Sequence, residues 1–299
     1  MKVLAIIVSY NFERWIDRCL GSLQQSAYPI DVVIIDNDSQ DKTVQRIKKD
    51  YPEMRLIESK TNLGFGRANN IGMQMALNEG YDAVMLINQD AWIGANTIGH
   101  LIKQCKENPQ YGILSPVHLT GSGKSPDPGF GHYAHLTSIN QLPQGDELIP
   151  LPFINAAFWL IPVQVLKKTG GFCPLFYHYG EDKDFINRLH YHGYKAGYSP
   201  KVFGCHDREY RPVTHQQFLR TEYVYHLSEY ANINHSFPKA FGYAILAALK
   251  KSLTALCKGK RKHSGEFLSM SIRLLMRTRE VYTYRKQNKL SNPNYIQEA

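Results

Sequence analysis

Residues 83–92 read "AVMLINQDAW", an apolar run that ends abruptly in polar residues. Residues 83–87 are all apolar, which is typical of a β-strand covered on both faces. Asn88, Gln89 and Asp90 follow this run directly. Either one of them simply caps the turn where the strand reaches the surface, or together they form part of a binding site.

Two earlier strand-like segments end in the same way. The run "VLAIIV" at residues 3–8 leads into "SYN", and "VVIID" at residues 32–36 leads into "NDSQD". Shorter strand patterns are present at residues 55–58 and 112–116. Polar residues therefore follow three separate predicted strands.

Helix-like segments separate these strands. In the first of them, apolar residues recur at three- and four-residue spacing from Phe12 to Leu23, which predicts an amphipathic helix. Strand–helix alternation with short connections predicts an α/β fold, a mostly parallel sheet with helices on both faces. Such sheets bind ligands at the carboxyl ends of their strands, so we expect the polar strand ends to share one edge.

The regular alternation stops before a Gly-, Pro- and Ser-rich stretch at residues 119–150, whose length and composition predict a functional loop. A buried strand is predicted at residues 153–161. A helix with an acidic first turn begins at Glu181, and two short strands follow near residues 194–198 and 201–205. From about residue 214 onward the patterning is helical.

Positive charge is concentrated in this last region. The chain has a formal net charge of +9, and residues 239–289 contain 13 Lys or Arg against two acids, an excess of 11 that leaves about −2 for the rest. This uneven charge predicts that the basic region is a separate functional segment attached to a near-neutral domain. No recognition motif accompanies the basic residues, so nucleic acid is not an expected partner.

Two segments of the basic region bear on membrane association. The apolar segment at residues 241–257 contains Lys250 and Lys251, which predicts that it is too short and too charged to span a bilayer. The segment at residues 267–282 interleaves apolar residues with three arginines, as basic amphipathic helices on anionic membranes do. A solvated helix face or a subunit contact explains this pattern equally well.

The five cysteines are widely spaced, odd in number and without a C-x-x-C pair. This arrangement predicts free thiols and a reducing compartment. The N-terminal apolar run is short and has no small-residue cleavage site after it, so it does not predict a signal peptide.

Each polar group has a functional and a structural interpretation. A carboxylate such as Asp36 accepts hydrogen bonds from a base imide or ribose hydroxyls, or it caps the next helix. Asp90 beside amide oxygens is compatible with Mg²⁺ or Mn²⁺ that takes its other ligands from phosphate and water. Glu181 and Asp182 interact favourably with the dipole of a helix whether or not they have a catalytic role. His206 follows a predicted strand and is a candidate phosphate or metal contact.

The stretch "TNLGFGRANNIG" at residues 61–72 places two glycines before a predicted helix. A helix N-terminus is a favourable position for a phosphate group. The stretch is not the dinucleotide-binding fingerprint, because Asn69 occupies the place of its last glycine.

Taken in order, "IIVSYN", "IIDNDSQDKT", "NLGFGRANNIG", "LINQDAW" and "GEDKDFINRLHYHGYKAGYSP" resemble the motifs of family 2 glycosyltransferases, with the closest similarity to the bacterial rhamnosyltransferase-like branch. The resemblance extends over about residues 1–210. It implies the GT-A fold, a UDP- or dTDP-linked sugar donor and inversion at the anomeric carbon. It also implies a catalytic domain at residues 1–212, with a donor half (1–117) and an acceptor and catalytic-base half (118–212), followed by a basic helical region (213–299).

The resemblance assigns roles residue by residue. Asp36 would read the base, Asp38 would lie near the ribose, and Arg67 near the base or phosphates. The full set of nucleotide-sugar-binding residues that it implies is Ser9, Tyr10, Asn11, Asp36, Asp38, Arg67, Asn88, Gln89 and Asp90.

The remaining roles concern the metal, the proton and the acceptor. Asp90 matches the last acid of the family's D-x-D motif and, with His206, would bind Mg²⁺ or Mn²⁺. Asn88 departs from the strict motif, as it often does in the rhamnosyltransferase-like branch. Asp182 matches the catalytic base, with Glu181 as its neighbour. On the acceptor side the candidates are Trp159 and His178.

The resemblance thus implies transfer of rhamnose or another hexose to a hydroxyl of a glycan or lipid-linked acceptor, in bacterial cell-envelope polysaccharide synthesis. The expected location is cytoplasmic, at the inner face of the cell membrane, and the sequence leaves the oligomeric state open. One alternative is a sugar-nucleotide pyrophosphorylase, which is expected to have a Gly-rich, basic loop after its first strand; "SYNFERW" stands there instead. A catalytically inactive nucleotide-sugar-binding partner is another, although retention of Asp36, Asp90 and Asp182 argues against it.

Overall fold

A mixed β-sheet is the centre of the computed structural model, which describes residues 1–208 and 213–296. Within these residues the sheet has nine strands in the order β3-β2-β1-β4-β8-β6-β9-β5, with β7 also beside β9. The strands are β1 (Val3–Ser9), β2 (Asp31–Asp36), β3 (Arg55–Glu58), β4 (Ala83–Asn88), β5 (Ala91–Ile93), β6 (Tyr111–Thr120), β7 (Ile149–Leu151), β8 (Phe158–Pro162) and β9 (Lys195–His206). Strands β1 to β4 pair in parallel, as the sequence predicts, whereas β8 runs antiparallel to both β4 and β6.

Helices cover both faces of the sheet. Helices α3, α6 and α7 contribute to the apolar core on one face, and α1, α2 and α4 to the core on the other. The first seven helices are α1 (Ile16–Gln24), α2 (Thr43–Asp50), α3 (Phe65–Asn78), α4 (Thr97–Glu107), α5 (Pro128–Ala134), α6 (Val163–Thr169) and α7 (Glu181–Tyr191). Burial on both faces explains why the central strands read as continuous apolar runs.

Strand register brings the polar strand ends to one edge. In the parallel pairs, Ser9 lies opposite Asp36, and the adjacent residue Val8 lies opposite Asn88. On the other side of the site, the antiparallel pairing of β5 with β9 sets Ala91 opposite His206. The register thus positions the residue after Asp90 beside the end of β9.

The segment between β6 and β8 is more ordered than the sequence predicts. It contains the helix α5 and the strand β7. Asp127 caps α5, because its Oδ1 accepts a hydrogen bond from the Phe130 amide at 3.0 Å, and Pro128 is the first residue of the helix. The buried strand expected at residues 153–161 begins only at Phe158. The two short strands expected near 194–198 and 201–205 are one strand, β9, with an irregularity in its pairing to β6.

The C-terminal region is helical, as predicted, and shares a core with the segment that precedes α7. Its helices are α8 (His215–Ala231), α9 (Phe237–Phe241), α10 (Ala247–Cys257), α11 (Arg261–Met276) and α12 (Thr278–Asn288), with a π-helical turn at Gly242–Leu246. Their buried residues pack with Cys173, Leu175 and Phe176, which precede α7. The predicted domain boundary between residues 212 and 213 adjoins residues outside the described part of the chain. The last three residues of the predicted C-terminal region, 297–299, also lie outside it.

The segment Phe237–Cys257 corrects one expectation. It forms a continuous 21-residue helical run that is long and apolar enough, by length and composition, to cross a membrane, despite Lys250 and Lys251. About a third of its apolar 18-residue stretch is buried inside the protein. The helix of a soluble core passes the same test, so this run is weak evidence for a membrane span.

Candidate functional site

The buried carboxylate of Asp36 lies at the centre of the first strand end. Its Oδ1 accepts hydrogen bonds from the Ser9 and Ser39 hydroxyls at 2.9 and 2.6 Å, and its Oδ2 accepts one from the Ser39 amide at 3.0 Å. Asp36 is 2% exposed. Both carboxylate oxygens therefore have protein partners, which fixes the orientation of the side chain.

Neighbouring polar residues fix the loops around Asp36. Gln89 holds Tyr10 through two hydrogen bonds, accepting from its amide at 2.7 Å and donating to its carbonyl at 3.1 Å. Asn11 accepts from the Gln40 amide at 2.9 Å, and it adopts a positive φ of 52°, as Asp38 does at 69°. Such backbone conformations are tolerated better by Asn and Asp than by most residues. Gln89 and Asn11 thus fix the loops beside Asp36, while the Tyr10 side chain remains 46% exposed.

A second polar cluster forms where β4, β5 and β9 meet. The Oδ1 of Asp90 lies 3.2 Å from Nε2 of His206, and the Asn88 Nδ2 lies 3.5 Å from the same nitrogen. The Oδ1 of Asn88 and the Nδ1 of His206 are buried and have no partner among the described residues. Carboxylate oxygen, imidazole nitrogen and an unpartnered amide oxygen form a donor set that suits Mn²⁺ or Mg²⁺.

Behind this cluster lies Asp127, which the sequence analysis did not select. It is 1% exposed, and its Oδ2 is 4.0 Å from His206 Nδ1 and 3.8 Å from the Nε of Arg208. Beyond its capping bond through Oδ1, its Oδ2 has no hydrogen-bond partner in the described part of the chain. The Asp127 carboxylate thus lies behind His206, near the ring nitrogen that does not face Asp90.

Asp182 and Glu181 begin α7, directly after a tight turn. Tyr179 and Gly180 both have positive φ, 68° and 89°, and a Cβ on Gly180 would lie 2.7 Å from Val224 of α8. The turn therefore requires glycine, and α8 packs against it. Arg208 links the acids at the start of α7 to the Asp90–His206 cluster, because its positive charge acts on the Asp182 carboxylate as well as on Asp127.

The two adjacent acids have different environments. Burial raises the pKa of Asp182 above its ordinary value, although the amide hydrogen bonds at the start of α7 and the nearby Arg208 oppose this shift. Burial and the neighbouring Asp182 charge raise the pKa of Glu181 to about 8. The Glu181 Oε2 is buried and unpartnered in the described structure. Glu181 is thus largely protonated at neutral pH, which leaves Asp182 as the better candidate proton acceptor.

Two predicted site residues lie elsewhere. Trp159 is fully buried, stacked on Phe172 at 6.0 Å and tilted against Phe185 at 5.4 Å, so the expectation that it contacts an acceptor is wrong. Arg67 is exposed and lines a cleft formed with segment 174–179 and helices α8 and α11. None of the residues of the Asp36 cluster lines this cleft. His178 lines the same cleft.

Other acids and histidines support the fold. Asp184, in the first turn of α7, forms a buried ion pair with Arg188 at 2.8 Å, so its role is structural. His118 is fully buried, stacks on Phe130 at 4.8 Å and lies behind His206, whose charge helps burial to lower the pKa of His118. The sequence signals a cap at Asp127 through the following proline, but it carries no signal that Asp127 and Arg208 meet His206 and Asp182.

Comparisons with known proteins agree with this architecture. The "Glycosyl transferase family 2" model matches residues 4–170, more than half of the chain. The N-acetylglucosaminyl-diphospho-decaprenol L-rhamnosyltransferase of Mycobacterium tuberculosis is 25% identical over 230 residues, 68% of this chain and 75% of its own. The low-salt glycan biosynthesis hexosyltransferase Agl10 of Haloferax volcanii is 25% identical over 226 residues, 74% and 71% of the two chains.

Solved structures share the fold. The crystal structure of Staphylococcus aureus TarS 1–349 in complex with UDP superposes with a TM-score of 0.56 at 16% identity, over 97% of this chain and 88% of the other. The mannosyltransferase PcManGT of Pyrobaculum calidifontis, in complex with GDP-Man and Mn²⁺, gives 0.55 at 17% identity, over 93% and 86%.

The fold and the polar edge of the sheet define a GT-A glycosyltransferase that uses a nucleotide-sugar donor. The chain belongs to glycosyl transferase family 2 and to its rhamnosyltransferase-like branch. The fold class and the enzyme class predicted from the sequence are thereby confirmed.

Proposed function

We propose that this enzyme transfers a hexose, rhamnose being the leading candidate, from a nucleotide-diphospho-sugar to a hydroxyl of a glycan or lipid-linked acceptor, with inversion of the anomeric configuration. The observation that carries the proposal is the position of Asp182. It lies at the start of α7 and shares Arg208 with the Asp127–His206–Asp90 cluster. The proposed proton acceptor and the proposed diphosphate-binding cluster therefore lie within the range of one arginine charge.

On the donor side, we assign the base and ribose to the first strand end. Asp36, held by Ser9 and Ser39, would accept a hydrogen bond from the base, while Tyr10 at the rim would cover the ring and Asp38 would approach the ribose. Because Asp36 is already oriented, little ordering is required on binding, which favours affinity.

The donor diphosphate would lie against Asp90 and His206. These two residues, with the amide oxygen of Asn88, would hold Mg²⁺ or Mn²⁺; the unpartnered Asn88 Oδ1 supports this assignment. When bound, such an ion neutralises the charge that develops on the departing nucleoside diphosphate. Arg208, which is 46% exposed in its side chain, adds a second positive charge on the same side.

In the reaction, Asp182 accepts the proton of the acceptor hydroxyl as that oxygen bonds to the anomeric carbon. The bond from the anomeric carbon to the diphosphate oxygen breaks in the same displacement, and its electron pair leaves with the nucleoside diphosphate. Attack from the face opposite the leaving group inverts the configuration, and no covalent enzyme intermediate forms. General-base catalysis of this kind contributes roughly 10²–10⁴-fold.

The relatives suggest the biological setting. One is named for rhamnosyl transfer to an N-acetylglucosaminyl-diphospho-lipid, and TarS for N-acetylglucosaminyl transfer to poly(ribitol phosphate). We therefore place this enzyme in cell-envelope polysaccharide synthesis, in the cytoplasm at the inner face of the membrane. Exposed apolar side chains of α10 and α11, among many Lys and Arg, support contact with an anionic lipid surface.

The proposal is tested by thermal unfolding with a panel of UDP-, dTDP- and GDP-linked sugars, with Mn²⁺ or with EDTA. We expect one nucleotide-sugar to raise the melting temperature only with Mn²⁺, because a ligand stabilises the state it binds. Slow release of free sugar from that donor would exclude an inactive binding partner. Formation of a nucleotide-sugar from sugar 1-phosphate and nucleoside triphosphate would instead support a pyrophosphorylase and contradict the proposal.

A further inference from the structure

A large cleft separates the start of α7 from the C-terminal helices. Its volume is about 1140 Å³, and its walls are segment 174–179, the outer side of α3, and helices α8 and α11. Tyr177, His178 and Tyr179 form one wall and lead directly into Gly180, Glu181 and Asp182 along the chain. The segment that lines the cleft thus leads directly to the proposed catalytic base, and the charge of Arg220 in the cleft acts on the adjacent Glu181. None of the residues that line the cleft belongs to the Asp36 cluster.

The charge of this cleft is strongly positive. Five basic side chains line it: Arg67, Arg220, Lys262, Arg273 and Arg277. Its two acids already have partners, since Glu266 lies 2.9 Å from the His215 ring nitrogen and Glu280 forms an ion pair with Arg277 at 2.7 Å.

The other four basic residues, Arg67, Arg220, Lys262 and Arg273, have no carboxylate within 4.0 Å among the residues that the structure describes. Arg220 and Arg273 instead lie over the rings of Tyr179 and Tyr223, 5.6 and 4.5 Å from the ring centroids. Aromatic support of this kind fixes a guanidinium plane while its N–H groups stay available to an anion. A row of such groups is suited to phosphate oxygens, which arginine binds in bidentate fashion.

The wall of the cleft that precedes α7 carries exposed tyrosine rings. Tyr177 and Tyr179 are 57% and 61% exposed, and the Tyr177 hydroxyl is held by the Asn62 carbonyl at 3.0 Å. Exposed rings of fixed orientation suit the apolar face of a pyranose. The cleft therefore combines exposed tyrosine rings suited to a sugar with basic groups suited to phosphate, and the two kinds of group meet where Arg220 lies over Tyr179.

An apolar strip on α11 lies beside the phosphate-binding groups. It consists of Leu268, Ile272, Leu275 and Met276, which are 44–80% exposed. The cleft-facing residues of the same helix include Lys262, Ser269 and Arg273. At 3.6 residues per turn, the strip is centred about a quarter turn from the cleft-facing side. An acyl or prenyl chain that leaves the cleft would therefore reach apolar side chains at once.

We propose that this cleft is the acceptor site and that it binds a sugar linked through diphosphate to a lipid, with Arg67, Arg220, Lys262 and Arg273 on the diphosphate and the α11 strip on the lipid chain. This inference rests on the proposed function, because it defines the acceptor of the same reaction. It also assigns Arg67 to the acceptor rather than to the donor.

The test is isothermal titration calorimetry of the full chain with farnesyl diphosphate, in EDTA so that the donor's metal site is not used. We expect binding by the wild type and binding about tenfold or more weaker in Arg220→Gln/Arg273→Gln, because each lost charge-assisted hydrogen bond contributes that order of affinity. Arg279→Gln/Lys289→Gln, which removes two positive charges from exposed residues of the same region outside the cleft, should bind as the wild type does. Farnesol, which lacks the diphosphate, should bind far more weakly than farnesyl diphosphate.

Several outcomes would overturn the proposal. One is equal affinity of the double variant and the wild type. Another is equal affinity for inorganic pyrophosphate and farnesyl diphosphate, since this removes the lipid. A third is binding of a glycerol-phosphate polymer with none of farnesyl diphosphate, which assigns the basic residues to a polymeric acceptor. If Arg220→Gln/Arg273→Gln does not fold, the exposed pair Arg67→Gln/Lys262→Gln replaces it with the same expectation.

The experiment is independent of the donor. Nucleotide-sugar binding with Mn²⁺ should be unchanged in the double variant, because Arg220 and Arg273 line the cleft and not the Asp36 and Asp90 clusters to which the donor is assigned. Loss of farnesyl diphosphate binding with intact donor binding supports the acceptor site. Absence of any nucleotide-sugar binding by the wild type would instead contradict the proposed function and leave the lipid-diphosphate result to be judged separately.

Discussion

The two polar clusters at the sheet edge differ in how their hydrogen-bonding groups are satisfied. At the Asp36 end, both carboxylate oxygens have protein partners. At the Asp90 end, buried atoms of Asn88, Asp127 and His206 lack partners within the described structure, as does Glu181 Oε2. Leaving a buried polar atom unpaired is costly, about 1–3 kcal/mol each. The hydrogen-bonding groups of the first cluster are therefore already satisfied and oriented before a ligand binds. Those of the second cluster require a bound ligand to satisfy them.

This difference predicts unequal responses to substitution. Changes at the unpartnered end should affect chemistry and pH dependence strongly. Changes at the satisfied end should have graded effects on affinity and stability.

The largest effect is expected for Asp182→Asn. The amide cannot accept the acceptor's proton, so turnover should fall by roughly 10²–10⁴-fold while donor affinity changes little. In the wild type, the raised pKa of Asp182 places the acidic limb of the turnover–pH profile above the ordinary carboxyl value of 3.8. Steady-state kinetics and donor calorimetry together check this; near-normal turnover would remove Asp182 from the base role.

The next effect concerns stability and Glu181. Because its pKa is about 8 in the folded protein against 4.5 ordinarily, folding favours the protonated carboxyl. The stabilisation is complete below pH 4.5 and is lost as pH rises towards 8. At pH 4, Glu181→Gln should therefore have nearly the same free energy of unfolding as the wild type. At pH 8 the variant should be more stable than the wild type by roughly a few kcal/mol.

Chemical denaturation of both proteins from pH 4 to pH 9 measures this difference. Turnover of Glu181→Gln should remain largely intact. A parallel pH dependence for the two proteins would show that Glu181 is not the buried titrating group.

A smaller effect is expected for Asp127→Asn. Asparagine keeps the N-cap of α5 but removes the charge behind His206, so metal-dependent donor affinity should fall roughly 10–100-fold. The measurement is donor titration across a range of Mn²⁺ concentrations. The matched variant Asp127→Ala should additionally lose about 1 kcal/mol of stability with the cap. Unchanged metal dependence in both variants would separate Asp127 from the metal site.

The smallest effect is expected at the satisfied end. Ser39→Ala removes one hydroxyl bond to Asp36 but leaves that from Ser9, so both stability and donor binding should weaken by only about 1 kcal/mol. Thermal unfolding and donor calorimetry measure the two quantities. A loss as large as that at Asp127 would show that the Asp36 cluster is not the more tolerant of the two.

The sequence predicts the parallel half of the sheet well, because buried parallel strands require the continuous apolar runs seen at β1, β2 and β4. Parallel pairing also makes the shared edge predictable. The predicted residues Ser9, Asp36, Asp90 and His206 accordingly fall into the two clusters described here. Their catalytic and binding roles stay predictions.

What the sequence misses depends on contacts between distant segments. Asp127 lies in a Gly- and Pro-rich stretch that reads as a loop, and only the packing of α5 against His118 brings it to His206. Trp159 is an acceptor-side candidate in the sequence, yet it is fully buried in β8 and packs on Phe172. Arg67 lines a cleft that α8 and α11 help to form, and the packing of the C-terminal helices against segment 173–176 has no local sequence signal.

The most direct test of the account is the configuration of the first sugar released. With the donor identified by the thermal-unfolding panel, proton NMR recorded within minutes follows sugar transfer, or hydrolysis with water as acceptor, before mutarotation. A single displacement assisted by Asp182 predicts that an α-linked donor yields the β-anomer first. Release of the α-anomer first would contradict the account, because retention requires two displacements.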